Sequence, residues 1–215
     1  CGCQGRVGDL GPAGSLATGG GLGGGGRTLC RGGEGDLLGG AGTDLDNGVP
    51  GRAGLQALAR EAAAWLTEIG ISSVALDWRG TLFDGASHLS SWDAQDVGSY
   101  EGHVGPMAID AGRTAEGAIE FYADAPGHVA EVFAQALTSA GITVSMGEAG
   151  EAPAGASSLA SVSSATIGEQ LRWMLAHSDN TLADQYCRLA ARAAGSPSTY
   201  EGATSTVTDL ALIHN

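Results

Sequence analysis

The sequence predicts a mixed α/β fold, because segments with helical periodicity alternate with short β-type segments along most of the chain. Two segments share one plan, in which an amphipathic helix ends at a glycine and a short apolar strand follows: "LTEIGISSV" and "LTSAGITVS". Two further helical segments lie near the C-terminal end. Since two copies are too few for a solenoid, we expect the two units to pack into one α/β layer.

The charge composition excludes several classes of partner. All ten basic residues are Arg, and with 24 acidic residues the formal net charge is −14. That balance argues against nucleic acid or anionic lipid as a ligand. No run of 18 apolar residues is present, so we predict no membrane span. No signal peptide is visible. The chain begins with Cys1 rather than Met, so we expect a segment upstream. The alternative is a mature bacterial lipoprotein, which also begins with Cys.

The first part of the chain is rich in glycine and carries no recognisable binding motif. Residues 1–42 hold 18 of the 37 glycines, and we expect the first 27 residues to be mobile. The run "GGGLGGGG" is not a phosphate loop, because no Lys follows it. The four cysteines do not form C-x-x-C pairs, so a zinc knuckle is not predicted: Cys1, Cys3, Cys30 and Cys187. Thr28–Cys30 is predicted to form a short strand.

The first helix–strand unit follows the turn residues Pro50-Gly51. Residues 54–69 predict a helix that stops at Gly70, and residues 71–78 predict a strand. Its apolar face comprises Leu55, Leu58, Ala62, Leu66 and Ile69.

The second unit begins at Asp124 or Ala125, either of which is suited to cap a helix opened by Pro126. Gly141 ends this helix, and residues 142–146 predict a strand. Its apolar face comprises Val129, Val132, Phe133, Ala136 and Leu137.

Two helices are predicted after the small-residue linker 151–158. Thr166 and Glu169 form a capping box ahead of the first helix, and Gly195 ends the second. The predicted buried positions are Ile167, Leu171, Met174 and Leu175 in the first helix, and Leu182, Tyr186, Leu189, Ala190 and Ala193 in the second.

The connector between these helices reads Ser178-Asp179-Asn180. Taken alone, the triplet predicts a helix cap, since these side chains accept the free amides of a first turn, and Asn180 or Thr181 is suited to that position. The same triplet matches the second sequence element of active-site serine enzymes.

Other candidate sites are weaker. His88 and His103 lie near Asp84, Asp93 and Asp96 without the spacing of metal ligands, so we interpret them as scattered surface residues and predict neither a metal nor a cofactor. His177 adjoins Ser178, but adjacent residues on a helix end point in different directions, and a His favoured by the helix dipole is the simpler interpretation. The pairs Asp44/Asp46 and Asp93/Asp96 could form a glycosidase couple, but nothing in the sequence fixes their separation, so we interpret them as solvated loop charges. The four Trp residues are interpreted as packing rather than a sugar platform.

Several stretches follow one another in a characteristic order: "GGEGDLLGGAG", "LAREAAAWLTEIGISSVALDW" with "LFDG", "SSWDAQDVGSYEGHVGPMAIDAGR", "AEVFAQALTSAGITV" and "LASVSSATIGEQLRWMLAHSDNTLADQYCRLAARAAGSPST". In content, order and spacing they resemble the penicillin-binding D-alanyl-D-alanine carboxypeptidases and endopeptidases that carry inserted domains. The high Ala, Gly and Arg content is similar to that of actinobacterial members. The resemblance runs from about residue 28 to the end, and "YEGHVGP" departs from the family's Tyr-x-Ala-Pro pattern.

The resemblance implies a fragment of a β-lactamase/transpeptidase-like catalytic domain with an inserted α/β domain. On that basis we predict three parts. Residues 1–48 are a Gly-rich region with the first part of the penicillin-binding domain, residues 49–155 are the insertion, and residues 156–215 are the helical part that carries Ser178–Asn180.

The resemblance also implies a function: a serine-type carboxypeptidase or endopeptidase acting outside the cytoplasm on peptidoglycan stem peptides, with β-lactams as inhibitors and no cofactor. In such enzymes the residue at Ser178 passes a proton towards the leaving amine, and Asn180 binds the substrate's acyl-side amide.

The family's nucleophile element S-x-x-K and its K-T-G element are absent from this chain, which contains no Lys. Arg cannot replace Lys as a base, because it stays protonated, so we expect the chain by itself to be inactive. The alternative is a non-catalytic relic or binding module of the cell envelope. An S-x-x-K upstream and a K-T-G downstream in the gene would favour the enzyme.

Overall fold

The described part of the chain contains two parallel strand pairs, five α-helices and a short 3₁₀ helix at Asp110–Gly112. The computed structural model describes residues 54–78, 82–105, 107–115, 118–150, 159–160 and 167–212, and the backbone alone of residues 30–32, 161–162 and 213. The order of elements is β1 Cys30–Gly32, α1 Leu55–Glu68, β2 Ser73–Trp78, α2 Ala125–Ser139, β3 Thr143–Ala149, β4 Ala160–Val162, α3 Ile167–His177, α4 Asn180–Ala193 and α5 Tyr200–Ile213. The predicted mixed α/β class is confirmed.

The two repeated units form a single layer, as predicted. Strands β2 and β3 pair in parallel, with Val74 opposite Val144. Helix α2 packs against both strands and against α1. The Asp124 side chain caps α2 by accepting from the amide of Gly127 at 3.0 Å. The buried core between these elements comprises Leu58, Ala59, Ala62, Ala63, Leu66, Val74, Leu76, Ala130, Phe133, Ala134, Leu137, Ile142 and Ala160, with Trp65 and Trp78 packed at its edge.

One residue assigned to the buried face of α1 is exposed. The regular helix ends at Glu68, and Ile69 is its C-cap with a ψ of 8°. The helical period therefore stops one residue earlier than predicted, and the Ile69 side chain is 41% exposed.

Strand β4 joins the same core from outside the repeated units. It pairs in parallel with β1, Cys30 lying opposite Ala160, and Ala160 is buried against the α1–α2 layer. Residues before and after the repeated units are thus brought together on one side of α1.

The buried faces of α3 and α4 differ from the predicted ones. In α3, Ile167 and Leu175 are 44% and 74% exposed, so their assignment to the buried stripe was wrong. In α4, Leu182 is buried as predicted, but Ala193 is exposed and Tyr186, Leu189 and Ala190 are only half-buried. The residues that α4 does bury are Thr181, Leu182, Gln185, Arg188 and Ala191. Polar side chains take the inner face because Thr181, Gln185 and Arg188 bind backbone groups of the segment 82–105.

Helix α5 was not predicted. It follows Pro197, and the Thr199 hydroxyl accepts from the amide of Gly202 at 3.1 Å near its start. Its sequence is rich in Thr, which weakens the helical pattern, and packing against α4 supports it.

Residues 82–105 lie against the C-terminal helices rather than against the α1–α2 layer alone. Asp84 shows this most clearly, since its carboxylate accepts from both the amide and the hydroxyl of Ser198, at 3.0 and 2.9 Å. The predicted domain boundaries, near residues 48 and 155, fall outside the described residues and stay predictions. The Gly-rich start, Asp44, Asp46, Pro50, the linker 151–158 and Thr166 lie outside them as well. Among the described residues, no helix has the length and apolar content needed to cross a membrane.

Replacing Leu66 by Ala tests the core of the layer. Leu66 is completely buried, and Leu→Ala at such a site costs about 2–5 kcal/mol through lost burial and the cavity left behind. Leu175→Ala is the matched control, because that side chain is 74% exposed. Denaturant unfolding should show a large loss for the first variant and a change within about 0.5 kcal/mol for the second. Equal losses would contradict the assigned core.

Candidate active site

The loop that joins α3 to α4 begins with a helix ending that recurs in this chain. Within the described ranges, four helices end in the same way. A residue in the left-handed conformation ends the helix, and the amide of the next residue donates to the carbonyl oxygen four positions before the left-handed residue, at 2.8, 3.1, 2.9 and 3.1 Å. The left-handed residues are Gly70 (φ 76°), Gly141 (φ 94°), Gly195 (φ 74°) and Ser178 (φ 53°). Three are therefore glycine, which adopts this conformation without a steric penalty. The end of α3 uses serine instead.

Ser178 is exposed and holds a conformation that its Cβ disfavours. A non-glycine residue in the left-handed region costs about 1–2 kcal/mol relative to the right-handed one. Such strain persists where the surrounding structure fixes it, and it is common at functional sites.

Asp179 fixes the loop from the inside. Its side chain is 1% exposed, and Oδ2 lies 3.3 Å from the Arg113 guanidinium. Oδ1 accepts from the Leu182 amide at 2.9 Å, so Asp179 is the N-cap of α4. The prediction that Asn180 or Thr181 caps this helix was therefore wrong, because α4 begins two residues earlier than the pattern of apolar residues indicated. Asp179 turns inwards and leaves its two neighbours, Ser178 and Asn180, exposed on the surface.

The segment after Ser99 runs along the start of α4. Asn180 donates from Nδ2 to the carbonyl oxygen of Tyr100 at 3.2 Å, and the amide of Gly102 donates to the Thr181 hydroxyl at 2.8 Å. The Asn180 side chain is thus oriented by backbone that lies about 80 residues away in sequence. The loop and this segment together make up the candidate site.

A buried group of polar side chains lies beneath the segment. Glu101 is 0% exposed, and its Oε1 accepts from the Tyr200 hydroxyl at 3.2 Å. Burial, and after it the Asp184 carboxyl on α4, raise the pKa of Glu101 to about 8. Arg188 is also buried, stacks over the Tyr200 ring at 3.9 Å, and donates to the carbonyl oxygen of Ala86. Sequence reasoning missed this group, because single charged residues in a predicted loop or helix are usually solvated.

The two histidines interpreted as scattered surface residues are in contact, so that interpretation was wrong. Their rings meet edge to face with centroids 5.1 Å apart, and His103 Nδ1 lies 2.7 Å from the Ser87 hydroxyl. Burial, followed by the nearby His88, lowers the pKa of His103 below its ordinary value. His177, by contrast, stacks on Trp173 and donates from Nδ1 to that residue's carbonyl oxygen at 2.8 Å, so it closes the end of α3 and makes no pair with Ser178.

Neither of these His contacts builds a metal centre. Within the described ranges, no group of three or more His, Cys, Asp or Glu side chains is arranged to hold a metal ion. Asp93 and Asp96 belong to a single turn, where Asp93 is exposed. Burial raises the pKa of the free thiol of Cys187 on α4, which fits a small packing residue better than a nucleophile.

Comparison with known proteins bears on the same part of the chain. The model of the D-Ala-D-Ala carboxypeptidase 3 (S13) family matches residues 119–212, a stretch that includes the loop. The chain is also similar to carboxypeptidase DacB of Mycolicibacterium smegmatis (strain ATCC 700084 / mc(2)155), with 29% identity over 187 residues, 85% of this chain and 39% of that protein. The chain thus spans about two fifths of the length of the curated relative. No solved structure matches. The resemblance predicted from the sequence is confirmed.

Replacing Ser178 by Gly tests whether the loop is strained. Glycine relieves the left-handed conformation, so Ser178→Gly should stabilise the protein by about 0.5–1 kcal/mol in denaturant unfolding. The reverse change at an equivalent position is the control. Gly70 has the same closure, with no atom within 4 Å of an added Cβ, so Gly70→Ser should destabilise by a similar amount. A loss of stability in Ser178→Gly would show that the serine has a structural role.

Proposed function

We propose that this chain carries the middle active-site element of a serine-type D-Ala-D-Ala carboxypeptidase or endopeptidase that acts on peptidoglycan stem peptides outside the cytoplasm. Ser178 passes a proton towards the leaving amine, and Asn180 binds the acyl-side amide of the substrate. β-Lactams would bind at the same place. The similarity to the S13 family and to the mycobacterial carboxypeptidase supports this assignment.

One observation carries the proposal: α3 ends in a strained serine where three other helices of this chain end in glycine. A chain selected only for stability has no use for serine there, because the left-handed position favours glycine. The capping requirement is met by Asp179, so neither Ser178 nor Asn180 is needed to start α4. Both exposed side chains are therefore free to contact a substrate.

The chemistry fits these two groups. A hydroxyl both donates and accepts a hydrogen bond, which a proton relay requires. The Asn180 amide uses one N–H on the carbonyl oxygen of Tyr100, which leaves its second N–H and its oxygen for the backbone of a bound peptide. Neither group is a base, so the nucleophile and its activating Lys would come from outside these 215 residues.

Acylation by a fluorescent penicillin, measured on the complete gene product, tests the role of Asn180. Asn180→Ala should slow acylation about tenfold or more, the equivalent of one or more hydrogen bonds. Its thermal midpoint should barely change, because Asp179 keeps the cap. Gln135→Ala, an exposed change on α2, should leave both quantities unchanged. Asp179→Ala should instead cost stability, about 1 kcal/mol for the lost cap alone.

Two results would contradict the proposal. If Asn180→Ala loses about 1 kcal/mol of stability while acylation is untouched, the residue has only a structural role. If the complete gene product with its natural sequence is not acylated at all, the non-catalytic relic or binding module is the better assignment. The absence of Lys from this chain is the observation that keeps this alternative open.

The 215-residue chain by itself is expected to be inert. It contains no Lys to activate a serine, and a free hydroxyl is a weak nucleophile. Incubation with the fluorescent penicillin followed by denaturing electrophoresis should show no covalent band above that of chain denatured beforehand. A stoichiometric band would mean that other residues of this chain carry the chemistry.

A further inference from the structure

Three consecutive residues, Tyr100, Glu101 and Gly102, are each bonded to the C-terminal helices, and we call them the strap. The carbonyl oxygen of Tyr100 accepts from Asn180 at 3.2 Å. Glu101 Oε1 accepts from Tyr200 at 3.2 Å. The amide of Gly102 donates to the Thr181 hydroxyl at 2.8 Å. Glu101 is therefore the middle residue of the strap, next to the residue whose carbonyl oxygen binds Asn180.

The strap has little room to shift. A Cβ placed on Gly102 would lie 2.5 Å from the Phe121 ring, so the backbone passes directly against that side chain. The Phe121 ring is held in turn by the Arg113 guanidinium, 4.3 Å from its centroid, and Arg113 also binds Asp179. The strap thus lies between Phe121 and the first turn of α4.

Glu101 has an incomplete set of partners for a charged carboxylate. Its second oxygen, Oε2, is buried and has no hydrogen-bond partner among the described residues. The titratable and charged groups that face it are Asp184 and Arg188 from α4 and Tyr200 from α5. Because a buried charge needs compensating donors, ionised Glu101 would be unfavourable beside Asp184. A neutral carboxyl instead offers an O–H that the Asp184 carboxylate can accept.

We propose that Glu101 is a positioning residue for Asn180: its neutral carboxyl keeps the strap against α4 and α5, and its ionisation loosens the Tyr100–Asn180 hydrogen bond. The coupling itself concerns only the arrangement of side chains in this chain. Its consequence for peptide or β-lactam binding rests on the proposed function of Asn180.

The direction of the pH dependence follows from burial. The pKa of Glu101 is raised from 4.5 to about 8 by burial and then by Asp184, while Tyr200 and Arg188 oppose the shift more weakly. The folded protein therefore retains this proton where the unfolded chain has lost it, so the free energy of unfolding falls as the pH rises from about 4.5 to about 8. His103 titrates below its ordinary value of 6.5, outside the upper part of this range.

Carbon-detected NMR on the 215-residue chain tests the coupling without any catalysis. The side-chain carbonyl carbon of Asn180 should shift between pH 6 and 9.5 with a midpoint near that of the Glu101 carboxyl carbon, about 8. In Glu101→Gln, which keeps an acceptor for Tyr200 and cannot ionise, this transition should disappear. The side-chain carbonyl of Gln135, exposed on α2, is the internal control and should show no such step.

Tyr200→Phe is a second variant, which tests the proposal even if Glu101→Gln does not fold. Tyr200→Phe removes one hydrogen bond that favours ionised Glu101 and keeps the ring beneath Arg188. The midpoints of Glu101 and Asn180 should therefore move together to higher pH. The proposal is overturned if the two midpoints separate in Tyr200→Phe, if Asn180 does not respond to pH, or if its response is unchanged in Glu101→Gln.

Acylation of the complete gene product separates the two proposals. With the natural sequence, the acylation rate should fall as the pH rises through about 8, and Glu101→Gln should remove that fall; a merely structural role would lower the rate equally at every pH. If Asn180→Ala is acylated normally while the NMR coupling is present, the proposed function fails and the positioning relation stands. If Asn180→Ala is acylated more slowly while the NMR coupling is absent, the positioning relation fails and the proposed function stands.

Discussion

The buried carboxylate of Asp179 is the constraint on which the candidate site depends. It accepts from the first turn of α4 and from Arg113 at once, so its charge is compensated although its side chain is almost fully buried. Because Asp179 turns inwards, the residues before and after it turn outwards. The chain thereby presents Ser178 and Asn180 on the surface and needs neither of them to start the helix.

The inner face of α4 shows how the rest of the site is held. Gln185 donates to the carbonyl oxygen of Gly105 at 3.4 Å, and Arg192 donates to that of Leu82 at 3.3 Å. Together with Arg188 they bind the backbone of an irregular segment, whose polar groups would otherwise be buried without partners. An α4 with an apolar inner face could pack on other helices, but it could not form hydrogen bonds with the backbone of this segment. The irregular backbone of residues 82–105 is therefore stabilised by the polar face of α4, and the polar side chains of α4 can be buried only because that backbone binds them.

The elements with strong local signals were predicted well. The glycines that end α1, α2 and α4, and Asp124 at the start of α2, act through backbone conformations and bonds within a few residues. The mixed α/β class and the resemblance to the carboxypeptidase family were likewise accessible from the sequence. The buried faces of α3 and α4 were not, because the apolar pattern assumes an apolar neighbour. Ile167 and Leu175 are exposed, whereas Gln185 and Arg188 are buried.

The sequence by itself determined which residues compose the candidate loop, since Ser178, Asp179 and Asn180 are adjacent and their type restricts them to a helix junction. It also determined that no Lys is available in this chain. Only the tertiary structure decided which member of the triplet caps α4 and that Ser178 takes a conformation suited to glycine. It also decided that Tyr100 is bonded to Asn180 and Glu101 to Tyr200. These contacts join residues about 80 to 100 positions apart, and no local propensity encodes them, because they form only when α4 and α5 are packed against the strap.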